Sequence, residues 1–112
     1  MMTQDIIEKG KKNAIISYLT VFGIIIAYYL NGEKKNPFTY FHIRQSLGLW
    51  LTLIIINLSI VRNFDVFMLR VSVYVFFITL WFYGFIGATT GKQNAVPLVG
   101  KLYQKIFSNI GS

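Results

Sequence analysis

One short stretch of the chain concentrates the side chains that could do chemistry. His42 is the only histidine, and Arg44 and Gln45 follow it within three residues. An imidazole beside a guanidinium and an amide could handle protons or form a polar site at the mouth of a helix bundle. A histidine at a helix end more often bonds to lipid headgroups or to a loop carbonyl. We therefore expect residues 41–45 to join a loop to the helices, with His42, Arg44 and Gln45 contacting a partner or lipid headgroups.

The remaining reactive side chains do not extend this cluster into an active site. The chain has no cysteine, and no carboxylate follows near His42 in sequence, so neither a metal site nor a catalytic triad is indicated. No phosphate-binding glycine loop or nucleophile elbow is present. The sequence thus predicts a protein that is not an enzyme and has no cofactor or metal. The four acidic residues all lie outside the apolar stretches, which argues against an ion-driven transporter: Asp5, Glu8, Glu33 and Asp65.

Composition indicates the solvent in which these residues must be positioned. Hydrophobic residues make up 54% of the 112 residues and charged residues only 13%, against about 25% charged in soluble domains. So short a chain forms one domain and could not bury that much apolar surface in its own core. The net charge of +7 comes from Lys and Arg at the ends of apolar runs, which suits lipid headgroups and not nucleic acid.

Three apolar stretches predict transmembrane helices near 13–30, 44–61 and 67–90, within one membrane domain over 1–112. The first has eighteen uncharged residues and would span about 27 Å, close to the hydrocarbon core of a bilayer. A signal peptide would need a small-x-small cleavage site after this run, which is lacking, so we expect the helix to be retained. Asn36 and Pro37 are typical of a helix start. The short link at 62–65 implies that the second and third helices form an antiparallel hairpin.

Charged residues also flank the third stretch and the segment after it. Arg70 lies one turn inside the third stretch, where its long side chain can reach the headgroups. Apolar and polar residues over 97–109 recur at helical spacing on opposite faces, which predicts an interfacial helix with Lys101 and Lys105 facing lipid phosphates. The fold class is therefore an all-α membrane bundle of about three transmembrane helices plus interfacial amphipathic helices. Five small residues could permit close helix approach: Gly23, Gly48, Gly84, Gly87 and Ala88.

Three spans would leave the orientation in the membrane undecided. The start of the chain and the second loop would share one side and hold five Lys and Arg residues, and the first loop and the end of the chain would hold six. A difference of one charge does not set a topology.

The run 36–49 resembles the F-x-x-x-H-x-R-Q-x-L signature of the Tic-twenty-like proteins, through Phe38, His42, Arg44, Gln45 and Leu47. Residues 96–102 are similar to that family's closing proline–hydrophobic–hydrophobic–glycine helix, and the resemblance covers roughly 15–107. Plastid members are inner-envelope subunits associated with preprotein import and have four-helix membrane domains, while the small bacterial relatives are mostly uncharacterised. This sequence departs from them in its shorter length and in having a surface helix at the fourth position.

These patterns predict a non-catalytic integral protein of the bacterial inner (cytoplasmic) membrane. We expect a subunit or assembly factor of a larger membrane complex, and the resemblance implies a connection with protein translocation. Its partners would be the lipid bilayer and larger membrane proteins or further copies of itself, without nucleic acid. The alternative is a small homo-oligomeric channel or transporter, which would need a helix with a polar stripe. Between 71 and 88 the third stretch offers Ser72 and Thr79 as its short polar side chains.

Overall fold

The computed structural model describes residues 3–111, with all of their side chains except that of Val61. These residues form helices and turns without a strand, in an elongated body of 48 × 22 × 22 Å. The predicted all-α class is confirmed. The helices are α1 (Gln4–Leu19), α2 (Val21–Lys34), α3 (Pro37–Ile56), which continues into a π-helical turn (Asn57–Val61), α4 (Phe67–Thr89) and α5 (Gly100–Ile106).

The single helix expected over 13–30 is wrong, because the chain breaks at Thr20. This residue has an extended backbone, with φ −158° and ψ 176°, and its hydroxyl accepts the Gly23 N–H at 3.1 Å as the N-cap of α2. A side-chain cap satisfies a donor that a helix start otherwise leaves open. The break divides the first apolar stretch between α1, which extends back to Gln4, and α2.

The two helices on either side of Thr20 form an antiparallel hairpin, the α1–α2 hairpin. Both of its open ends meet at Asn36: the Asn36 amide donates to the Ile6 carbonyl at 2.8 Å, and its backbone N–H donates to the side chain of Asn31 at 3.0 Å. At the closed end Gly23 lies directly against the Ile16 backbone carbonyl. The expected close approach at Gly23 is therefore confirmed, as a contact within the hairpin.

The predicted start of α3 is confirmed. The Asn36 side-chain oxygen accepts the N–H groups of Phe38 at 2.9 Å and Thr39 at 3.2 Å, and Pro37 occupies the first turn. Pro fits there because its missing N–H would have no helical partner. Asn36 thus closes the α1–α2 hairpin and opens α3 at the same place.

The predicted antiparallel pairing of the next two helices is also confirmed. Tyr74, early in α4, donates to Asn57 at the end of α3 at 2.6 Å, while Gly87, late in α4, lies beside His42 near the start of α3. Two segments, Pro37–Ile60 and Phe67–Thr89, are long and apolar enough to cross a membrane. They correspond to the second and third predicted stretches.

The amphipathic helix expected over 97–109 is shorter than predicted and divides its apolar side chains differently. It begins at Gly100, not at Pro97, and ends at Ile106. Amphipathic spacing puts Leu102, Tyr103 and Ile106 on one apolar face, but only Tyr103 is buried against α3, and Leu102 and Ile106 are exposed. Tyr103 and Gln104, which donates to the Phe41 carbonyl at 2.8 Å, anchor the helix to α3, and turns flank it on both sides.

The hairpin covers only part of the two long helices. Its residues Ile24 and Ala27 form a cluster with Tyr40 and Ile43 near the start of α3, against which Leu47 and Trp50 pack. A second cluster joins α1 to α3, α4 and α5: Ala14, Tyr18, Phe38, Leu49, Leu80, Ala88, Val96 and Tyr103. Beyond these contacts α3 and α4 pack against each other without the hairpin.

Replacing Gly23 by alanine tests the hairpin. The added Cβ would lie 2.2 Å from the Ile16 carbonyl oxygen, so α1 and α2 must separate, at a cost of about 1–3 kcal/mol. Gly32→Ala in the same helix meets nothing within 4 Å and should instead stabilise by about 0.5–1 kcal/mol. Thermal unfolding of both variants in mild detergent, followed by circular dichroism, measures the difference. Equal melting temperatures would contradict the hairpin.

Candidate functional site

Three segments of the chain meet around His42. Tyr18 arrives from the last turn of α1, His42 and Gln45 lie on consecutive turns of α3, and the loop after α4 crosses above them. Tyr18, His42 and Gln45 have no exposed surface. We call these three side chains the Tyr–His–Gln cluster.

Hydrogen bonds join the cluster into one chain. The Tyr18 hydroxyl lies 2.6 Å from His42 Nδ1, and Gln45 Nε2 donates to the Tyr18 oxygen at 2.9 Å. His42 Nε2 lies 2.8 Å from the carbonyl oxygen of Lys92. The polar atoms of all three side chains therefore have partners, as buried polar groups require.

These contacts assign the protons. The Lys92 carbonyl can only accept, so His42 Nε2 carries a hydrogen. Since Gln45 donates to the Tyr18 oxygen, the Tyr18 hydrogen is left for His42 Nδ1. A doubly protonated imidazole would leave the Tyr18 hydrogen without an acceptor. The network consequently favours neutral His42, protonated at Nε2.

Aromatic rings and small residues enclose the imidazole. The rings of Phe38, Phe41 and Tyr18 pack edge-on around His42, with centroids at 4.7, 5.1 and 5.4 Å. On the α4 side the Tyr18 ring packs directly against Gly84, where an added Cβ would lie 2.7 Å from the ring. Close approach at the small residues of α4, expected from the sequence, is thus confirmed.

Gln45 and Arg44 attach the chain that follows α4, the 92–111 segment, to α3. Gln45 Oε1 accepts the Val96 N–H at 2.8 Å, and Gln45 Nε2 approaches the Asn94 carbonyl at 3.4 Å. Arg44 donates through Nε to the Ile110 carbonyl at 2.8 Å and through a second nitrogen to the same oxygen. The expectation that 41–45 join a loop to the helices is confirmed.

The expectation of direct contact with headgroups or a partner is not met for two residues of this stretch. His42 and Gln45 are fully buried in their own chain, so neither presents a surface to a lipid or another protein. Arg44 is half-buried, and its guanidinium donates to the Ile110 carbonyl. The predicted contact with headgroups or a partner assumed that the start of α3 is exposed, and the burial of His42 and Gln45 shows that it is not.

The other predicted contact residues lie far from the cluster or outside it. Arg70 is exposed near the start of α4 and pairs with Asp65 at 3.1 Å. Lys101 and Lys105 are exposed on α5. The sequence interpretation missed Tyr18, whose place in an apolar run gave no sign of partners 24 and 27 residues away.

Tyr103 forms a second link between the 92–111 segment and α3. Its ring lies on Gly48, and its hydroxyl lies 2.6 Å from the Thr52 hydroxyl. Burial raises the pKa of the Tyr103 phenol, and the hydrogen bond to Thr52 acts in the opposite direction. Beside this ring an apolar cavity of about 80 Å³ lies between α3 and α4, smaller than the several hundred Å³ that a small-molecule site typically occupies.

The contacts of the Tyr–His–Gln cluster hold α1, α3 and the 92–111 segment together. Within residues 3–111 no side-chain carboxylate is hydrogen-bonded to His42, and both nitrogens of its buried imidazole have partners. Among residues 3–111, no group of three or more His, Asp or Glu side chains is placed to hold a metal ion. What the geometry supplies is a buried, fully bonded junction of α1, α3, α4 and the 92–111 segment.

Comparison of the chain with protein-family models, with curated proteins and with solved structures gives no match.

Replacing Tyr18 by phenylalanine tests the cluster. The ring that packs on Gly84 is kept, but His42 Nδ1 loses its donor and Gln45 loses its acceptor. Gln45 keeps the Asn94 carbonyl and the Val96 N–H, but His42 Nδ1 is left buried and unpaired, which should destabilise the protein by about 1–3 kcal/mol. Tyr29→Phe, at a side chain 82% exposed, is the control and should stay within about 0.5 kcal/mol of the parent. Unfolding monitored by tryptophan fluorescence compares them, and equal stabilities would contradict the assigned network.

Proposed function

We propose that this chain is an integral membrane protein in which α3 and α4 cross the bilayer while the α1–α2 hairpin enters it only part of the way. In this role it acts as a non-catalytic subunit or assembly factor of a larger membrane complex. Three lines of argument support the proposal: exposed apolar surface, the depth of the hairpin, and the internal use of the polar groups.

The apolar surface of the two long helices carries the proposal. The rest of the chain buries only 28% of the most apolar part of Pro37–Ile60 and 22% of that of Phe67–Thr89. A helix from the core of a soluble protein would be mostly buried. Large side chains are instead exposed along the whole of α4 and on the second half of α3, from Leu51 onward, among them Ile55, Phe76 and Ile78. Lipid is the solvent that tolerates such surfaces without a penalty.

The hairpin supports a two-span arrangement. Its tip contacts α4 at Trp81, whose indole donates to the Tyr18 carbonyl at 2.6 Å. Trp81 lies eight residues before the end of α4 at Thr89, or about 12 Å along the helix. The outward face of α2 is apolar, with Phe22 74% and Ile25 62% exposed. A hairpin of this depth and polarity fits a membrane-inserted element that returns to the side from which it came.

An accessory role agrees with how the polar side chains are used. The Tyr–His–Gln cluster and Arg44 bond within the chain, and the apolar cavity near Tyr103 has a volume of about 80 Å³. In the crossing region Thr52, Asn57 and Thr79 also bond within the chain. A channel would need polar groups free to line a lumen, so we rank the homo-oligomeric channel second.

The proposed connection with protein translocation rests on the sequence resemblance. Four of its positions, Phe38, His42, Arg44 and Gln45, belong to the junction that holds the hairpin and the 92–111 segment on α3. The signature is then a packing requirement of the fold. A packing role for these residues supports an architecture shared with the Tic-twenty-like proteins. The connection with protein translocation is proposed on that basis.

A lysine placed at two positions of α4 tests whether its exposed surface faces lipid. Ile78 is 49% exposed at the middle of the helix, where a lysine in the bilayer should cost about 2.5–3.5 kcal/mol. Thr89→Lys, exposed at the helix end, is the control and should be tolerated. The fraction of protein resistant to alkaline carbonate extraction should fall for Ile78→Lys alone. If both variants, and the parent, are released by carbonate, the membrane proposal fails.

A pull-down of the tagged protein in mild detergent, with native sizing and mass spectrometry, tests the accessory role. We expect recovery in a stoichiometric complex with larger membrane proteins. Recovery as a lone homo-oligomer would contradict the accessory role and favour the channel, whose conductance in liposomes would then be measured.

A further inference from the structure

The hairpin brings most of the chain's connections to one end of the bundle. The start of α1 and the end of α2 both contact Asn36, at the start of α3. The end of α4 reaches the same region, where Gly91 lies beside Ile7 and Lys11. The 92–111 segment folds over the first half of α3 through its contacts with Gln45 and Arg44. The link between the π-helical turn and α4 is left at the opposite end.

The Lys and Arg residues are distributed unevenly between these two ends of the bundle. Nine of the eleven Lys and Arg residues lie on the α1–α2 hairpin and the turn after it, on the first half of α3 or on the 92–111 segment, which together we call the cationic end. They are Lys9, Lys11, Lys12, Lys34, Lys35, Arg44, Lys92, Lys101 and Lys105. Arg62 and Arg70 alone lie at the other end, and Arg70 pairs with Asp65.

Cationic side chains from different helices form a shared surface at the cationic end. Lys9 and Lys34, from different helices of the hairpin, line one open recess with Asn36. Lys101 and Lys105 are exposed on α5. Lys9 and Lys11 also pair with Asp5 and Glu8 on the surface of α1 at 3.2 Å, and exposed pairs of this kind contribute little.

The depth of the hairpin changes how many Lys and Arg residues lie on each side of the membrane. With three spans the cationic residues divided five to six, because the start of the chain lay on the side opposite to the first loop. A hairpin that returns to its own side places the start of α1, the 35–36 turn and the 92–111 segment together. The division becomes nine to two, and cationic residues in short loops are retained on the cytoplasmic side.

We propose that the cationic end binds the anionic phospholipid headgroups of the cytoplasmic leaflet, so that the start of α1 and the 92–111 segment face the cytoplasm. This inference rests on the proposed crossing of the bilayer by α3 and α4. Clustered Lys and Arg beside membrane helices attract anionic lipids, and the recess between Lys9 and Lys34 offers two ammonium groups from separate helices to one phosphate surface.

Single cysteines test the orientation, because the chain has none of its own. Gln4→Cys and Ser108→Cys mark the cationic end, and Asn63→Cys marks the opposite end; all three positions are exposed. In intact spheroplasts of a bacterial host, a membrane-impermeant maleimide should label Asn63→Cys alone. The other two should be labelled only after permeabilisation. The reverse pattern, or labelling of both ends in intact cells, would overturn the inference.

Native mass spectrometry of the purified protein tests the lipid contact. Phosphatidylglycerol should be retained over phosphatidylcholine, and the triple change Lys9→Gln, Lys34→Gln, Lys35→Gln should lower the retained fraction at least about threefold. Arg62→Gln, at the opposite end, is the matched control and should leave it unchanged. Equal retention of the two lipids, or equal loss in both variants, would overturn the headgroup contact.

The same preparations separate this inference from the proposed function. Carbonate release of the parent protein would overturn the membrane proposal together with the inference. Carbonate resistance with inverted labelling would leave the membrane proposal intact and overturn the orientation alone.

Discussion

A buried hydroxyl without a partner costs about 1–3 kcal/mol, and the Tyr18 side chain has no exposed surface at all. Its hydroxyl is satisfied only where His42 and Gln45 stand on consecutive turns of α3. His42 in turn requires the Lys92 carbonyl, and Gln45 requires the Val96 N–H. The depth of the hairpin tip, the register of α3 and the path of the chain after α4 are therefore set together. Moving any one of them would leave polar groups unpaired in an apolar surrounding, where an unpaired group is most costly.

That constraint explains the uneven shape of the molecule. One end holds the hairpin, the buried junction and the cationic residues, while the other consists of α3, its π-helical turn and α4 alone. The apolar side chains of the second end are left uncovered, which is stable in lipid and unfavourable in water. This shape agrees with the proposed function through contact. Tyr18, His42 and Gln45 are inside and bonded, and the large side chains left exposed at the second end are apolar.

Local signals were readable from the sequence, and long-range pairings were not. The cap at Asn36 with Pro37 and the antiparallel link at 62–65 depend on neighbours within a few positions, and each was predicted. The close approach at the small residues of α4 was also predicted, but its partner, Tyr18, was not. The break at Thr20 was not, because hydropathy is the same for one long apolar helix and for two short ones folded together. Its hydroxyl cap was present in the sequence, but a threonine inside an apolar run often bonds back within its own helix. The burial of His42 and Gln45 depends on Tyr18 and on Val96, which no local pattern connects to them.

The break at Thr20 is the claim on which the hairpin, the buried junction and the charge division all rest. A distance between spin labels on two cysteines, Asp5→Cys and Glu33→Cys, tests it directly, because both positions are exposed and the chain has no cysteine of its own. If the first apolar stretch were one continuous helix, the labelled backbones would lie about 42 Å apart. The hairpin predicts less than half of that distance, measured by pulsed electron spin resonance in lipid nanodiscs. A distribution centred near the longer value would contradict the account.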